Sequence, residues 1–167
     1  MTKTTDDLQA GFAGESQANR RYLAFAKKAD AEGLTQIARL FRAAAAAETV
    51  HALNHFRAMD GVGTTADNLK VAIAGENYEV VTMYPGFIQD AEEESVKRAL
   101  NSFKYAWEAE KIHEQLYRQA LTSLETQQPL PETDYYVCPI CGFTHEGPVQ
   151  GSCPVCNTSG TKFEKIS

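Results

Sequence analysis

Glu48-Thr49-Val50-His51 and Glu110-Lys111-Ile112-His113 are one four-residue pattern written twice, 62 residues apart. On a helix, positions three apart share a face and lie one turn from each other. Each pair therefore presents a carboxylate and an imidazole together. Each also interrupts an apolar stripe. One stripe runs Leu34, Ile37, Phe41, Ala44, Glu48, His51, His55, Met59, and the other Val96, Ala99, Phe103, Ala106, Glu110, His113, Tyr117, Ala120. Steps of three and four mark the inward seams of amphipathic helices.

Two further seams appear upstream of these. Leu8, Phe12, Glu15, Asn19, Tyr22 and Ala26 form the first, and Leu69, Ala72, Glu76, Glu79, Met83 and Phe87 the third. All four seams carry glutamate near the midpoint. The halves also repeat. Ala13-Gly14-Glu15 returns as Ala74-Gly75-Glu76, and Phe41, Ala44, Ala47, Glu48, His51 return as Phe103, Ala106, Ala109, Glu110, His113. Two helix pairs would then supply equivalent parts to one site.

Four helices are expected within residues 1–126. Asp6 and Asp7 suit the first start and Gly33 its end. The second helix covers about 34–60, and Gly61-Val62-Gly63 is a turn. Asp67 is the expected N-cap of the third, which passes Pro85-Gly86 at the cost of a kink or a lost hydrogen bond. Around Ala91-Glu92-Glu93-Glu94-Ser95 the chain could turn, or continue as one long helix and favour exchange of helices between two chains. The fourth helix reaches about Leu124, and Pro129 and Pro131 mark a linker.

Glu15, Glu48, Glu76, Glu79 and Glu110 place five potential negative charges on these seams, beside His51 and His113. Burying one unpaired ion costs several kcal/mol. A domain's whole stability is only ~5–15 kcal/mol. The carboxylates must therefore be protonated, hydrated or ligated, and two metal ions match their charge. A single Glu-x-x-His is usually a solvated pair. Two on apolar seams, each with an upstream glutamate, point to metal. Carboxylates with one imidazole per ion suit iron or manganese. His55, one turn past His51, reads as a packing residue. Tyr22 and Tyr84 are placed to hydrogen-bond a ligand carboxylate.

All four cysteines lie at the other end of the chain, in Cys138-Pro-Ile-Cys141-Gly142 and Cys153-Pro-Val-Cys156-Asn157. So short a segment cannot build a sufficient core. Four thiolates on one ion supply on the order of 10 kcal/mol. Zinc and a single iron both accept that geometry. Tyr136, Phe143 and Phe163 are the expected apolar cover, Asn157 stands where a knuckle usually has glycine, and His145 reads as a surface loop residue.

The formal net charge is −6 and no basic stripe occurs, which argues against nucleic acid as a partner. No apolar run approaches the ~20 residues of a membrane span. The first residues lack an apolar core of a secretory signal, so a cytoplasmic location is expected.

Gly14-Glu15, Glu48-x-x-His51, Glu76-Asn77-Tyr78-Glu79, Tyr84-Pro85, Glu110-x-x-His113 and the two cysteine knuckles, in this order, resemble the rubrerythrin family across essentially the whole chain. The ligand pattern is that given generally for ferritin-like di-iron carboxylate proteins. The resemblance implies an all-α four-helix bundle of ferritin-like type over residues 1–130, followed by a rubredoxin-like domain over 131–167. It implies a peroxidase that reduces hydrogen peroxide to water in oxidative-stress defence. Two irons would be held by Glu15, Glu48, His51, Glu76, Glu79, Glu110 and His113, and one iron, or zinc, by Cys138, Cys141, Cys153 and Cys156. Electrons would come from NAD(P)H through separate rubredoxin-type or flavoprotein donors. His51 and Glu79 would be alternative ligands in the two oxidation states, with Tyr22 and Tyr84 supporting. A homodimer is implied, with the thiolate-bound iron of one chain near the di-iron centre of the other. The competing expectation is a ferroxidase or iron-handling protein.

Overall fold

The computed structural model describes residues 2–166. The chain divides into two compact units, Met1–Gly63 and Thr64–Ser167. Among the described residues no helix is long and apolar enough to cross a membrane.

The first unit is a helical hairpin. Helix α1 spans Lys3–Ala31 and α2 spans Thr35–Ala58. The α1 start lies earlier than Asp6 and Asp7 suggest. The Thr2 hydroxyl accepts from the Thr5 amide at 3.3 Å, so Thr2 caps the helix and Asp6 sits inside its first turn. Gly33, at φ +75°, ends it as expected. The helices run antiparallel, because contacts pair early residues of one with late residues of the other. Phe12 stacks on Phe56, Asn19 bonds Ala45 and Thr49, Phe25 meets Phe41, and Asp30 pairs with Arg42. The buried contact uses small residues: Ala18, Ala26 and Ala29 against Ala38, Ala45 and Ala52.

The second unit begins with α3, Thr65–Tyr78. Its cap is Thr64 rather than Asp67. The Thr64 hydroxyl accepts from the Asp67 amide at 3.2 Å, which makes Asp67 the third helical residue. A π turn follows at Glu79–Met83, then α4 at Tyr84–Glu93. The chain turns after α4. Ser95 takes a left-handed φ of +58°, and α5 then runs Lys97–Thr126, slightly beyond Leu124. Antiparallel pairing again shows in the contacts: Asn77 with Glu114, Phe87 with Phe103, Glu92 with Lys104.

The π turn explains how the helix survives Pro85. The Tyr84 amide reaches back five residues to the Glu79 carbonyl. In that register the next donor would serve the Val80 carbonyl, but residue 85 is proline and has no N–H. The Trp107 indole supplies the missing donor, with Nε1 2.8 Å from the Val80 carbonyl oxygen. Lys111 holds the other side of Trp107, its ammonium 3.4 Å from the ring centroid. The expected lost hydrogen bond at Pro85 is thus made good by α5, and Glu79 sits at the start of the rewound segment.

The cysteine module closes the chain. Strands β1 (Tyr135–Val137), β2 (Thr144–Glu146) and β3 (Glu164–Ile166) form an antiparallel sheet in the order β2-β1-β3. Its core is Cys138, Cys141, Cys153 and Phe163, covered by Tyr136, Phe143, Val149 and Val155, as the sequence suggests for the three aromatics. Tyr105 of α5 packs on the same cluster. Asn157 adopts φ +61°, the left-handed conformation its knuckle position needs. His145 departs from expectation. It lies in β2, half-buried, with Nδ1 3.0 Å from the Gly147 carbonyl oxygen.

Candidate metal centres

In the first unit Glu15 of α1 meets Glu48 and His51 of α2, with donor atoms all within 4.8 Å of one another. Glu48 Oε2 lies 3.0 Å from His51 Nδ1. Glu15 and Glu48 are hydrogen-bonded to each other, and that bond is the main reason Glu15 titrates high and Glu48 low. Asn19, one turn after Glu15, fixes the two helices in register. Its Nδ2 donates to the Ala45 carbonyl at 2.7 Å and the Thr49 hydroxyl at 2.9 Å. His55 stays outside the triad and packs on α1, where a Cβ at Gly11 would come 3.0 Å from its ring. Tyr22 lies among Phe25 and Phe41, ring centroids 6.3 Å away.

In the second unit Glu76 of α3 meets Glu110 and His113 of α5 within the same limit. Glu110 Oε2 is 2.6 Å from His113 Nδ1. Burial, then the charge and hydrogen bond of Glu110, push the Glu76 carboxyl up to about 7. The Glu110 hydrogen bond raises His113. Glu79 is outside the tight triad yet close enough to feel it. Burial and the Glu110 charge raise its carboxyl. Tyr84 is raised by burial and then by Glu110, Glu79 and Glu76, so its hydroxyl stays protonated at neutral pH and can donate to them.

In the module the Sγ atoms of Cys138 and Cys156 are 3.5 Å apart, as are those of Cys141 and Cys153. All four are free thiols. The spacing is near the edge, about 3.8 Å, of a tetrahedron of thiolates around an ion at ~2.3 Å. Burial opposes the Cys156 thiolate, but the Thr158 hydroxyl and amide and the Cys138 and Cys141 thiols bring it down to about 6. Burial raises Cys141 and Cys153.

These donor sets fit the metals. Burial, and after it the charge and hydrogen bond of Glu110, keep a proton on Glu76 to about pH 7, and a cation bound there offsets both the desolvation and the repulsion. Three buried thiols and the half-buried Cys156 converge on one point, where an ion would let them bind as thiolates against the burial that otherwise keeps Cys141 and Cys153 protonated. Uptake at the Glu76 triad must displace protons from Glu76 and His113. Affinity for a divalent cation should therefore rise with pH through about 7, with protons released on binding in weakly buffered solution. A pH-independent affinity between pH 6 and 8 would contradict the assignment.

The sequence profile described as Rubrerythrin matches residues 6–121. This chain belongs to the rubrerythrin family. It is 36% identical to Rubrerythrin-2 of Clostridium acetobutylicum over 96% of the chain and 95% of that protein. It is 36% identical to nigerythrin of Nitratidesulfovibrio vulgaris over 92% of the chain and 81% of that protein. The solved structure titled "Fully reduced state of nigerythrin (all ferrous)" covers 99% of the chain and 88% of its own, with a TM-score of 0.59 at 33% identity. The rubrerythrin fold class follows: ferritin-like and all-α, with a small rubredoxin-like cysteine region at the C-terminal end. Rubrerythrins are oxidoreductases, and the carboxylate–histidine and four-cysteine sites are both present in this one.

The cysteine module lies against α5 of its own chain, where Thr144 Oγ1 is 2.8 Å from His113 Nε2. Sequence reasoning missed Thr144, which belongs to no motif. It missed Trp107 as well, although the donor lost at Pro85 was a signal that some group must replace it.

Proposed function

We propose that this rubrerythrin is a peroxidase that reduces hydrogen peroxide to water, with functional parts at about 1–130 and 131–167. When bound, a pair of irons supplies the two electrons that cleave the O–O bond, and a thiolate-bound iron supplies replacements one at a time. Glu15, Glu48 and His51 hold one iron, and Glu76, Glu110 and His113 the other. The observation that carries the reading is the pairing of these two carboxylate–histidine triads with a four-thiol site in one chain. A ferroxidase needs no such thiol relay.

The two histidines differ in how firmly they are held. The His113 side chain is 29% exposed and engaged at both ring nitrogens, whereas that of His51 is 54% exposed and engaged through Nδ1 to Glu48. His113 is accordingly the fixed ligand and His51 the conditional one. Glu79, near its triad but outside the tight group, is the competing carboxylate: hard oxygen for the oxidised metal, imidazole for the reduced one. The Tyr84 hydroxyl orients the carboxylates around it, and Tyr22 is assigned the same role beside Glu15. Electrons enter from NAD(P)H through rubredoxin-type or flavoprotein donors in the cytoplasm. A homodimer is the working form, supported by large apolar side chains left at the surface, Leu40 67% and Val71 72% exposed.

Glu79→Ala and His51→Ala test the exchange. Each should slow reoxidation of the reduced iron-loaded protein by peroxide at least about tenfold in stopped-flow absorbance. Unchanged rates in both variants would remove Glu79 and His51 from the mechanism.

A further inference from the structure

We propose that Thr144 is a positioning residue that latches the cysteine module to the α5 metal triad. The inference rests on the reading of Glu76, Glu110 and His113 as metal ligands. His113 is bracketed by two elements of different origin. Its Nδ1 faces Glu110 Oε2, one turn earlier on the same helix, at 2.6 Å. Its Nε2 faces Thr144 Oγ1, at the start of β2, at 2.8 Å. Thr144 follows Cys141 by three residues, so the hydroxyl is carried by the knuckle that holds the thiols.

The chemistry of a hydroxyl gives this contact a direction. Thr144 has one proton, and its oxygen also lies 3.4 Å from the Gly142 carbonyl oxygen, which can only accept. With that proton turned to Gly142, Thr144 accepts the Nε2 proton of His113. In the metal-free chain a proton lies between Nδ1 and Glu110 Oε2; an ion entering where Glu110 and Glu76 converge displaces it, and the ring, its other proton kept on Nε2 by Thr144, then presents the Nδ1 lone pair to that ion. The hydroxyl therefore selects the metal-binding tautomer and fixes the ring plane.

The latch also couples two events. If module docking supplies the acceptor that holds His113 ready, a metal ion on His113 must stabilise that docking by the same factor. A chain with a filled triad keeps β2 against α5, and an empty one holds it less firmly. Among the described residues His51 pairs through Nδ1 with Glu48 and has no counterpart of Thr144, which makes it an internal control.

Zinc, redox-silent and diamagnetic, is the probe. The full chain is first given enough zinc to fill the four-cysteine site, then titrated further with chelator-buffered zinc. Binding at each triad is followed through the ring nitrogen signals of His113 and His51. Thr144→Val should weaken zinc binding at His113 about tenfold or more and remove the Nε2–H pattern, leaving His51 unchanged. Thr144→Ser should restore both. In the wild type, filling the triad should slow hydrogen exchange at the β2 amides, and in Thr144→Val it should not. Equal zinc affinity at His113 in wild type and Thr144→Val, or failure of serine to restore what valine removes, would overturn the latch. Loss at His51 as well as His113 would do so too, by revealing general unfolding. None of these readouts involves peroxide, so the latch and the peroxidase reading can fail separately.

Discussion

Glu76→Gln should stabilise the metal-free protein above pH 7 while reducing metal retention at its triad by about 100-fold or more. The opposite signs follow from one fact. Burial and Glu110 raise the Glu76 carboxyl from an ordinary 4.5 to about 7. The folded chain thus holds this proton more tightly than the unfolded chain. The resulting stabilisation is complete below about pH 4.5 and is lost as pH rises through about 7. Glutamine mimics the protonated acid at every pH. The variant and the wild type should melt alike near pH 4.5 and diverge above 7. Because the group is partly exposed, solvent screening limits the gain to roughly 1 kcal/mol, or about 2–4 °C in Tm. With metal present the order should reverse, since glutamine cannot supply an anionic oxygen. Thermal melts at pH 4.5 and 8, with and without metal, check both halves. A variant less stable than wild type in the metal-free state at pH 8 would mean Glu76 is not held against its own charge.

Cys153→Ala should unfold the cysteine module and leave the helices intact. Cys153 is among the most buried residues of the module and shares its small core with Cys138, Cys141 and Phe163. Three strands of three residues each cannot hold that core without an ion. Losing one of four thiolates forfeits much of a binding energy on the order of 10 kcal/mol. Amide protection in β1, β2 and β3 should collapse to that of an unfolded chain, and bound metal should fall by one ion per chain. The far-ultraviolet helix signal should change little, because α1 to α5 carry it. Persistent strand protection in the variant would show that the module folds by packing alone.

Much of this was readable from spacing, for a physical reason. A helix projects residues three and four apart onto one face, so Glu15, Glu48, His51, Glu76, Glu110 and His113 announce their neighbours locally. Cys-x-x-Cys knuckles do the same, and even Asn157 betrayed its left-handed turn. Cap assignments erred by choosing an acid where a threonine hydroxyl was available three residues earlier, at Thr64 before Asp67. The π turn was half legible: Pro85 forecast a missing donor, but not that Trp107, 27 residues from Val80, would replace it. The contact of Thr144 with His113, 31 residues apart, has no periodic signature at all. Residues whose partners lie across a tertiary contact leave no pattern in a single sequence.

The most direct measurement is anaerobic stopped-flow of the fully reduced iron-loaded protein, with metal content determined on the same sample. Mixing with hydrogen peroxide should oxidise the carboxylate-bound irons quickly and yield two waters for each peroxide, consuming two electrons and two protons. The thiolate-to-iron absorption should then grow in as that iron gives up its electron. Oxygen should react more slowly. Reoxidation by oxygen faster than by peroxide, or a thiolate-iron absorption that never follows the peroxide reaction, would contradict the account.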